Sequence, residues 1–208
     1  MDAKQQMKNI HNVVNSIPFH KSTILVGNNG SGKSVVRKYL EVDIKRLTKY
    51  NKAQTKSISM QTRTEDPSGF GLMKDLPWEP TSLHTYTLID ELFRSCFENE
   101  ENSKKKKIPY YYIIDELEIG LSRESQLAVC NYIKEKIPQI NEKSYGLLII
   151  THSEFVVEQL KDICDFIDLN NPNRTADEWI NREIIPTDFE QFKIDSHELF
   201  IELTPNKN

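Results

Sequence analysis

Residues 22–34 read Ser22-Thr23-Ile24-Leu25-Val26-Gly27-Asn28-Asn29-Gly30-Ser31-Gly32-Lys33-Ser34. The first five form a short apolar run of strand-forming residues, and the last eight match G-x-x-x-x-G-K-[ST] in full. Behind them Val35, Val36, Tyr39, Leu40, Val42 and Ile44 recur at helical spacing. Strand, glycine-rich turn and helix in succession are the setting in which this motif cradles a nucleotide's phosphates. Glycines let backbone N–H groups converge on an anion, and the helix N-terminus adds the positive end of its dipole. Lys33 then reaches the β- and γ-phosphates, and the Ser34 hydroxyl takes Mg2+. Gly27, Asn28, Asn29, Gly30, Ser31, Gly32, Lys33 and Ser34 are therefore the candidate phosphate-binding residues. The plainer alternative is a Gly-rich turn that carries a surface lysine.

Further along, Tyr110 to Ile114 is an apolar run that delivers two adjacent carboxylates, Asp115 and Glu116, at its C-terminal end. In an open α/β sheet that end is where ligands bind. Asp115 is the candidate Mg2+ ligand, directly or through water, and Glu116 the candidate general base for an attacking water. Alone, such a pair is ordinary surface chemistry; downstream of a phosphate loop it reads as a Walker B strand with its glutamate. Other strands are expected at 57–61, 145–150 and 166–169, and a terminal one at 198–203. Helices are expected over 1–17, from a Thr81 or Ser82 cap through Phe93, and over 122–136, 154–164 and 175–183. Residues 62–82, with Pro67, Pro77, Pro80, Gly69 and Gly71, read as an irregular loop. Strands alternating with helices imply the α/β class, a mostly parallel sheet flanked by helices.

The chain has 208 residues, suiting one domain, and 27 Lys plus Arg against 31 Asp plus Glu give a formal charge of −4. That excludes a globally basic nucleic-acid coat; any DNA or RNA contact would be a local patch. No stretch approaches the roughly 18 apolar residues of a membrane span, and the N-terminus alternates polar and apolar residues where a signal peptide would be unbroken. A cytoplasmic location and no membrane partner are the expectation. Cys96, Cys130 and Cys164 are too few and too separated for a zinc cluster or disulfide framework, and read as core or helix residues. Lys104 to Lys107, beside Glu98, Glu100 and Glu101, read as a solvated loop, and Trp78 and Trp179 as packing residues.

Ile114-Asp115-Glu116-Leu117-Glu118-Ile119-Gly120-Leu121-Ser122 resembles the D-E-P-E-x-G-L stretch of ABC-type ATPases related to the structural-maintenance-of-chromosomes and recombination-repair heads, with Leu117 in place of the usual proline. The resemblance implies a P-loop NTPase of the ABC-ATPase type, ATP as its nucleotide, and Glu118 to Ser122 as a D-loop crossing a dimer interface. Leu147 to Ser153 is similar to that family's switch strand, which gives His152 a γ-phosphate contact. Gln61 matches the Q-loop glutamine, which senses Mg2+ and the attacking water. The family's L-S-G-G-Q signature is absent as such. At its expected place stands Thr81-Ser82-Leu83-His84-Thr85, where Ser82 is either a signature serine for a partner's γ-phosphate or an ordinary N-cap.

The resemblance covers about residues 22–169 of a single ATPase domain taken as 1–208, with 172–208 a C-terminal extension. Little room remains before Ser22 for the family's β-subdomain, or between Gln61 and Ser82 for the helical subdomain of transporter ATPases. Both subdomains are expected in reduced form. With no heptad arm or hook cysteine pair, the chain resembles the small stand-alone heads of bacterial and phage genomes that serve repair, replication or defence. Phe19 and His20 are candidates for stacking on the base.

Three function classes follow. The leading one is an ATPase that uses water to cleave the γ-phosphate as an ATP-dependent homodimer. Its catalytic residues are Lys33, Gln61, Glu116 and His152, with Ser34, Gln61 and Asp115 around Mg2+. The second is a nucleotide-gated interaction protein that clamps a DNA or protein partner with negligible hydrolysis. The third is a P-loop phosphotransferase, which the carboxylate pair and His152 disfavour.

Overall fold

The computed structural model describes residues 3–47, 54–59, 81–97 and 110–183. Five strands, β1 (Ser22–Val26), β2 (Gln54–Ile58), β3 (Tyr110–Asp115), β4 (Gly146–Ile150) and β5 (Asp165–Asp168), form one sheet in the order β2-β3-β4-β1-β5, with every pairing parallel. The helices among the described residues are α1 (Ala3–Ser16), α2 (Lys33–Leu47), α3 (Thr81–Phe97), α4 (Arg123–Lys143), α5 (Glu154–Leu160) and α6 (Ala176–Ile180). The α/β class with a parallel sheet between helices is thus what the chain forms.

All residues of β1 and β4 are buried, as central strands covered on both faces must be. Alternate positions divide between two cores. Ile24, Val26, Tyr112, Ile114, Leu147 and Ile149 join residues of α3, α4 and α5 and Trp179 of α6. Leu25, Tyr111, Ile113, Leu148 and Ile150 join α1 and α2 on the other face. Because side chains alternate along a strand, a slip of one residue would exchange the two sets. Helix α1, outside the stretch covered by the resemblance, is bound into this sheet: Ile10, Val13, Val14 and Ile17 pack with Val36, Leu40 and Ile44 of α2.

Several boundaries differ from expectation. Helix α4 runs through Pro138 to Lys143 instead of stopping at Lys136. An interior proline costs about 3 kcal/mol, but Ile137 and Ile140 beyond that stop are 4% and 0% exposed, and burying two such side chains returns roughly 1.5–3 kcal/mol each. Strand β2 occupies 54–58, not 57–61, because its register pairs Gln54 with Tyr110 and Ile58 with Ile114. Helix α5 ends at Leu160, not Cys164; the Ile163 and Cys164 N–H groups both turn back to the Leu160 carbonyl at 3.1 Å. β5 begins one residue before 166–169. The helix expected over 175–183 is Ala176–Ile180, started by a reciprocal Thr175–Glu178 capping box. Gln61, Trp78, Lys104 to Lys107, the irregular stretch before Thr81 and the strand at 198–203 lie outside the described residues.

Candidate active site

β4 hydrogen-bonds to both β1 and β3, so the two motif-bearing strands are not neighbours. The turn after β4, with His152, lies between the glycine loop after β1 and the carboxylates at the end of β3. All three segments leave the same carboxyl edge of the sheet, where open α/β folds bind ligands.

In the loop, Gly30 and Gly32 adopt φ of 76° and 97°, a region that glycine enters without steric cost. At Gly32 a Cβ would also stand 2.6 Å from Ile10 Cδ1, so α1 closes one side of the loop. Ser31 donates its N–H to the Asn28 carbonyl at 3.1 Å, and Asn28 donates its own to Asn170 Oδ1 at 2.7 Å. Ser31 Oγ is buried with no hydrogen-bond partner among the described residues. Asn28, Asn29, Gly30 and Ser34 are exposed, whereas Lys33, opening α2, is only 7% exposed. Its Nζ donates to the carbonyls of Gly27 and Asn28 at 2.9 Å each. Burial pulls the Lys33 pKa down from 10.5 to about 8, against the opposing pull of Glu116, Asp115 and Glu118. A desolvated ammonium, an orphaned hydroxyl and the N-terminus of a long helix suit the oxygens of a phosphate.

Asp115, opposite Ile150 at the end of β3, accepts on Oδ2 from Arg37 Nη1 at 2.9 Å. Arg37 sits one turn beyond Lys33 on α2, with Nε 3.7 Å from Glu41 Oε1. Burial pushes the Asp115 pKa up, and Arg37 pulls it back. The Asp115 carboxylate and the Ser34 hydroxyl are hard oxygen donors of the kind Mg2+ takes. Among the described residues no three His, Cys, Asp or Glu groups make a metal cluster, so Mg2+ here would draw its other ligands from phosphate and water.

Glu116 has φ of 56°, and its N–H is fixed to the Ile150 carbonyl at 2.8 Å. For a residue with a Cβ the left-handed region costs roughly 1–2 kcal/mol, strain that concentrates at functional sites. Glu116 Oε1 lies 3.6 Å from His152 Nε2, each side chain about one-third exposed at 32% and 33%. Burial first, then Lys33, lowers the His152 pKa below 6.5, against Glu116, Glu118 and Asp115. The His152 N–H donates to Glu118 Oε1 at 2.7 Å.

The fold therefore gathers Lys33, Asp115, Glu116 and His152 at one edge, with Ser34 in the first turn of α2. Ser82 lies in the first turn of α3, and its side chain is not among those described. Sequence reading passed over Arg37 and Asn170. Arg37 carries a weak signal, since four positions after Lys33 places it on the same helix face. Asn170 carries none, because its contact exists only once β5 lies against β1.

No protein-family model matches the sequence, and no curated protein matches it significantly. Among solved structures it is similar to Caenorhabditis elegans PCH-2, with 20% identity, a TM-score of 0.42 and coverage of 82% of this chain and 40% of that one. It is also similar to the Aeropyrum pernix ORC2 protein in ADPNP-ADP complexes, with 13% identity, a TM-score of 0.38 and coverage of 78% and 46%. The chain spans less than half of either protein, and likeness of this degree says nothing of family or chemistry.

Proposed function

We propose that the protein binds Mg·ATP at this edge and hydrolyses it as an ABC-type ATPase. The supporting observation is the company of Lys33: a buried ammonium whose hydrogen-bond partners among the described residues are loop carbonyls, facing Asp115, Glu116 and His152. Phosphate oxygens would take over the hydrogen bonds that Lys33 gives to Gly27 and Asn28, and Ser31 Oγ would gain a partner. Ser34 and Asp115, joined by Gln61, would hold Mg2+, which would supply charge neutralisation at the phosphates. Glu116 accepts the proton of the attacking water as its oxygen bonds to the γ-phosphorus and the bond to the ADP oxygen breaks. His152 donates a hydrogen bond to the γ-phosphate as charge redistributes.

Nothing in the gathered set supplies a second wall over the γ-phosphate. In this reading a second copy supplies it through the segment beginning at Ser82, in a two-fold homodimer held by ATP, acting on a DNA or protein partner in the cytoplasm. Glu116→Gln keeps shape and removes the base, so it should hold ATP and accumulate dimer. Light scattering after size exclusion, with Mg·ATP, with ADP and without nucleotide, should show dimer in the first condition alone. Phosphate release by the parent, lost in Lys33→Ala together with ATP binding, tests the hydrolytic part. ATP binding without phosphate release would instead favour a nucleotide-gated interaction protein, and a monomer in all three conditions would leave Ser82 without a role in closure.

A further inference from the structure

Glu118 does something the resemblance does not assign. Placed in the segment expected to line a seam between copies, it instead turns inward, and its Oε1 accepts the His152 N–H at 2.7 Å across 34 positions of sequence. Local chemistry brings it there. Positive φ at Glu116 and Gly120, 56° and 75°, folds the segment back onto the sheet edge. Leu117 and Leu121, 1% and 8% exposed, seat it in the core. A second tie runs alongside: Gln126 Nε2 donates to the Leu121 carbonyl at 3.2 Å, and Ser153 Oγ donates to Gln126 Oε1 at 3.0 Å. The backbone turn that carries His152 is thus fastened to the segment after β3 at His152 itself and at Ser153. The other Glu118 oxygen, Oε2, is buried with no hydrogen-bond partner among the described residues. A buried orphan acceptor is unfavourable, and its retention calls for an explanation beyond packing.

We infer that Glu118 is a positioning residue for His152, its carboxylate holding the backbone of Thr151–Ser153 so that the imidazole stays beside Glu116. A side-chain oxygen at full reach, accepting the backbone N–H at 2.7 Å, pins that peptide in place. The inference rests on the hydrolytic reading above, and its test has one arm that does not. Glu118→Ala removes the contact, Glu118→Asp keeps the charge but shortens the reach, and Glu118→Gln keeps an acceptor at full reach. In steady-state phosphate release, Glu118→Ala and Glu118→Asp should each lower kcat about tenfold with KM nearly unchanged. Glu118→Gln should recover most of that loss. Glu118→Ala/His152→Ala should be no slower than His152→Ala within about twofold, because both changes act through one side chain. In a 1H–15N spectrum of the nucleotide-free protein, the His152 amide proton should move upfield in the Ala and Asp variants and stay near its parent position in Gln. Parent-like turnover in both shortened variants, multiplying losses in the double variant, or an unmoved His152 amide would each overturn the inference. A parent without phosphate release would remove the hydrolytic reading, and the amide measurement alone would then decide whether Glu118 holds the turn. Should Glu118→Ala fail to fold, Glu118→Asp against Glu118→Gln decides the same question.

Discussion

Lys33→Met should make the nucleotide-free protein more stable while abolishing ATP binding. Methionine keeps an unbranched stem of similar length in the slot and removes the ammonium. Holding that charge where the side chain is 7% exposed lowers its pKa from 10.5 to about 8. The fall corresponds to roughly 3 kcal/mol of unfavourable free energy at pH 7. Against it stand the hydrogen bonds to the Gly27 and Asn28 carbonyls, worth about 1 kcal/mol each and lost in the variant. The balance favours the variant by about 1 kcal/mol, or some 2–4 °C in a chain of this size. The pH dependence has a definite sign. Between about 8, the folded value, and 10.5, the unfolded value, the unfolded chain binds more protons, so the parent gains stability as pH rises through that window. The variant lacks this gain, so its advantage should be full below pH 8 and should shrink and reverse toward pH 10.5. Urea unfolding of both proteins at pH 7, 8.5 and 10 measures the difference, and calorimetry measures ATP binding. A variant less stable than the parent at pH 7, or a difference that ignores pH, would show that Lys33 is not a destabilising buried cation in the nucleotide-free protein.

Arg37→Gln releases Asp115 Oδ2 from a guanidinium 2.9 Å away; if that pair is worth about 1 kcal/mol, the Mg2+ needed for half-maximal ATP binding should fall about fivefold. Binding in EDTA should not change, and a raised Mg2+ requirement would contradict competition for Asp115. Gly32→Ala puts a methyl group 2.6 Å from Ile10 Cδ1 at φ of 97°, so thermal unfolding should show a loss of at least about 1 kcal/mol. Ile10→Val, which removes Cδ1, should restore only the steric part; an Ala variant as stable as the parent would be evidence against this loop geometry. His152→Ala should keep ATP affinity and slow turnover. Calorimetry should show unchanged ATP binding and phosphate-release assays a lower kcat; turnover equal to the parent's would contradict a γ-phosphate contact from His152.

What could be read from residues alone was whatever depends on near neighbours. The strand before Gly27, the glycine loop, the helix from Lys33 and the paired carboxylates after Ile114 each declare themselves within a dozen positions, through periodicity and the backbone freedom of glycine. They determined the α/β class and most of the gathered site. Boundaries were less legible where a distant surface outweighed local preference. The helix expected to end at Lys136 continues through Pro138 because Ile137 and Ile140 find a core to enter, and β2 sits where Tyr110 to Ile114 pair with it. The contacts that tune the site were not legible at all. Arg37 on Asp115, Asn170 on Asn28 and Glu118 on His152 join residues 78, 142 and 34 positions apart. Each exists only because the sheet is ordered β2-β3-β4-β1-β5. That order follows from how all the helices bury their apolar faces at once, a property of the whole chain that no single segment encodes.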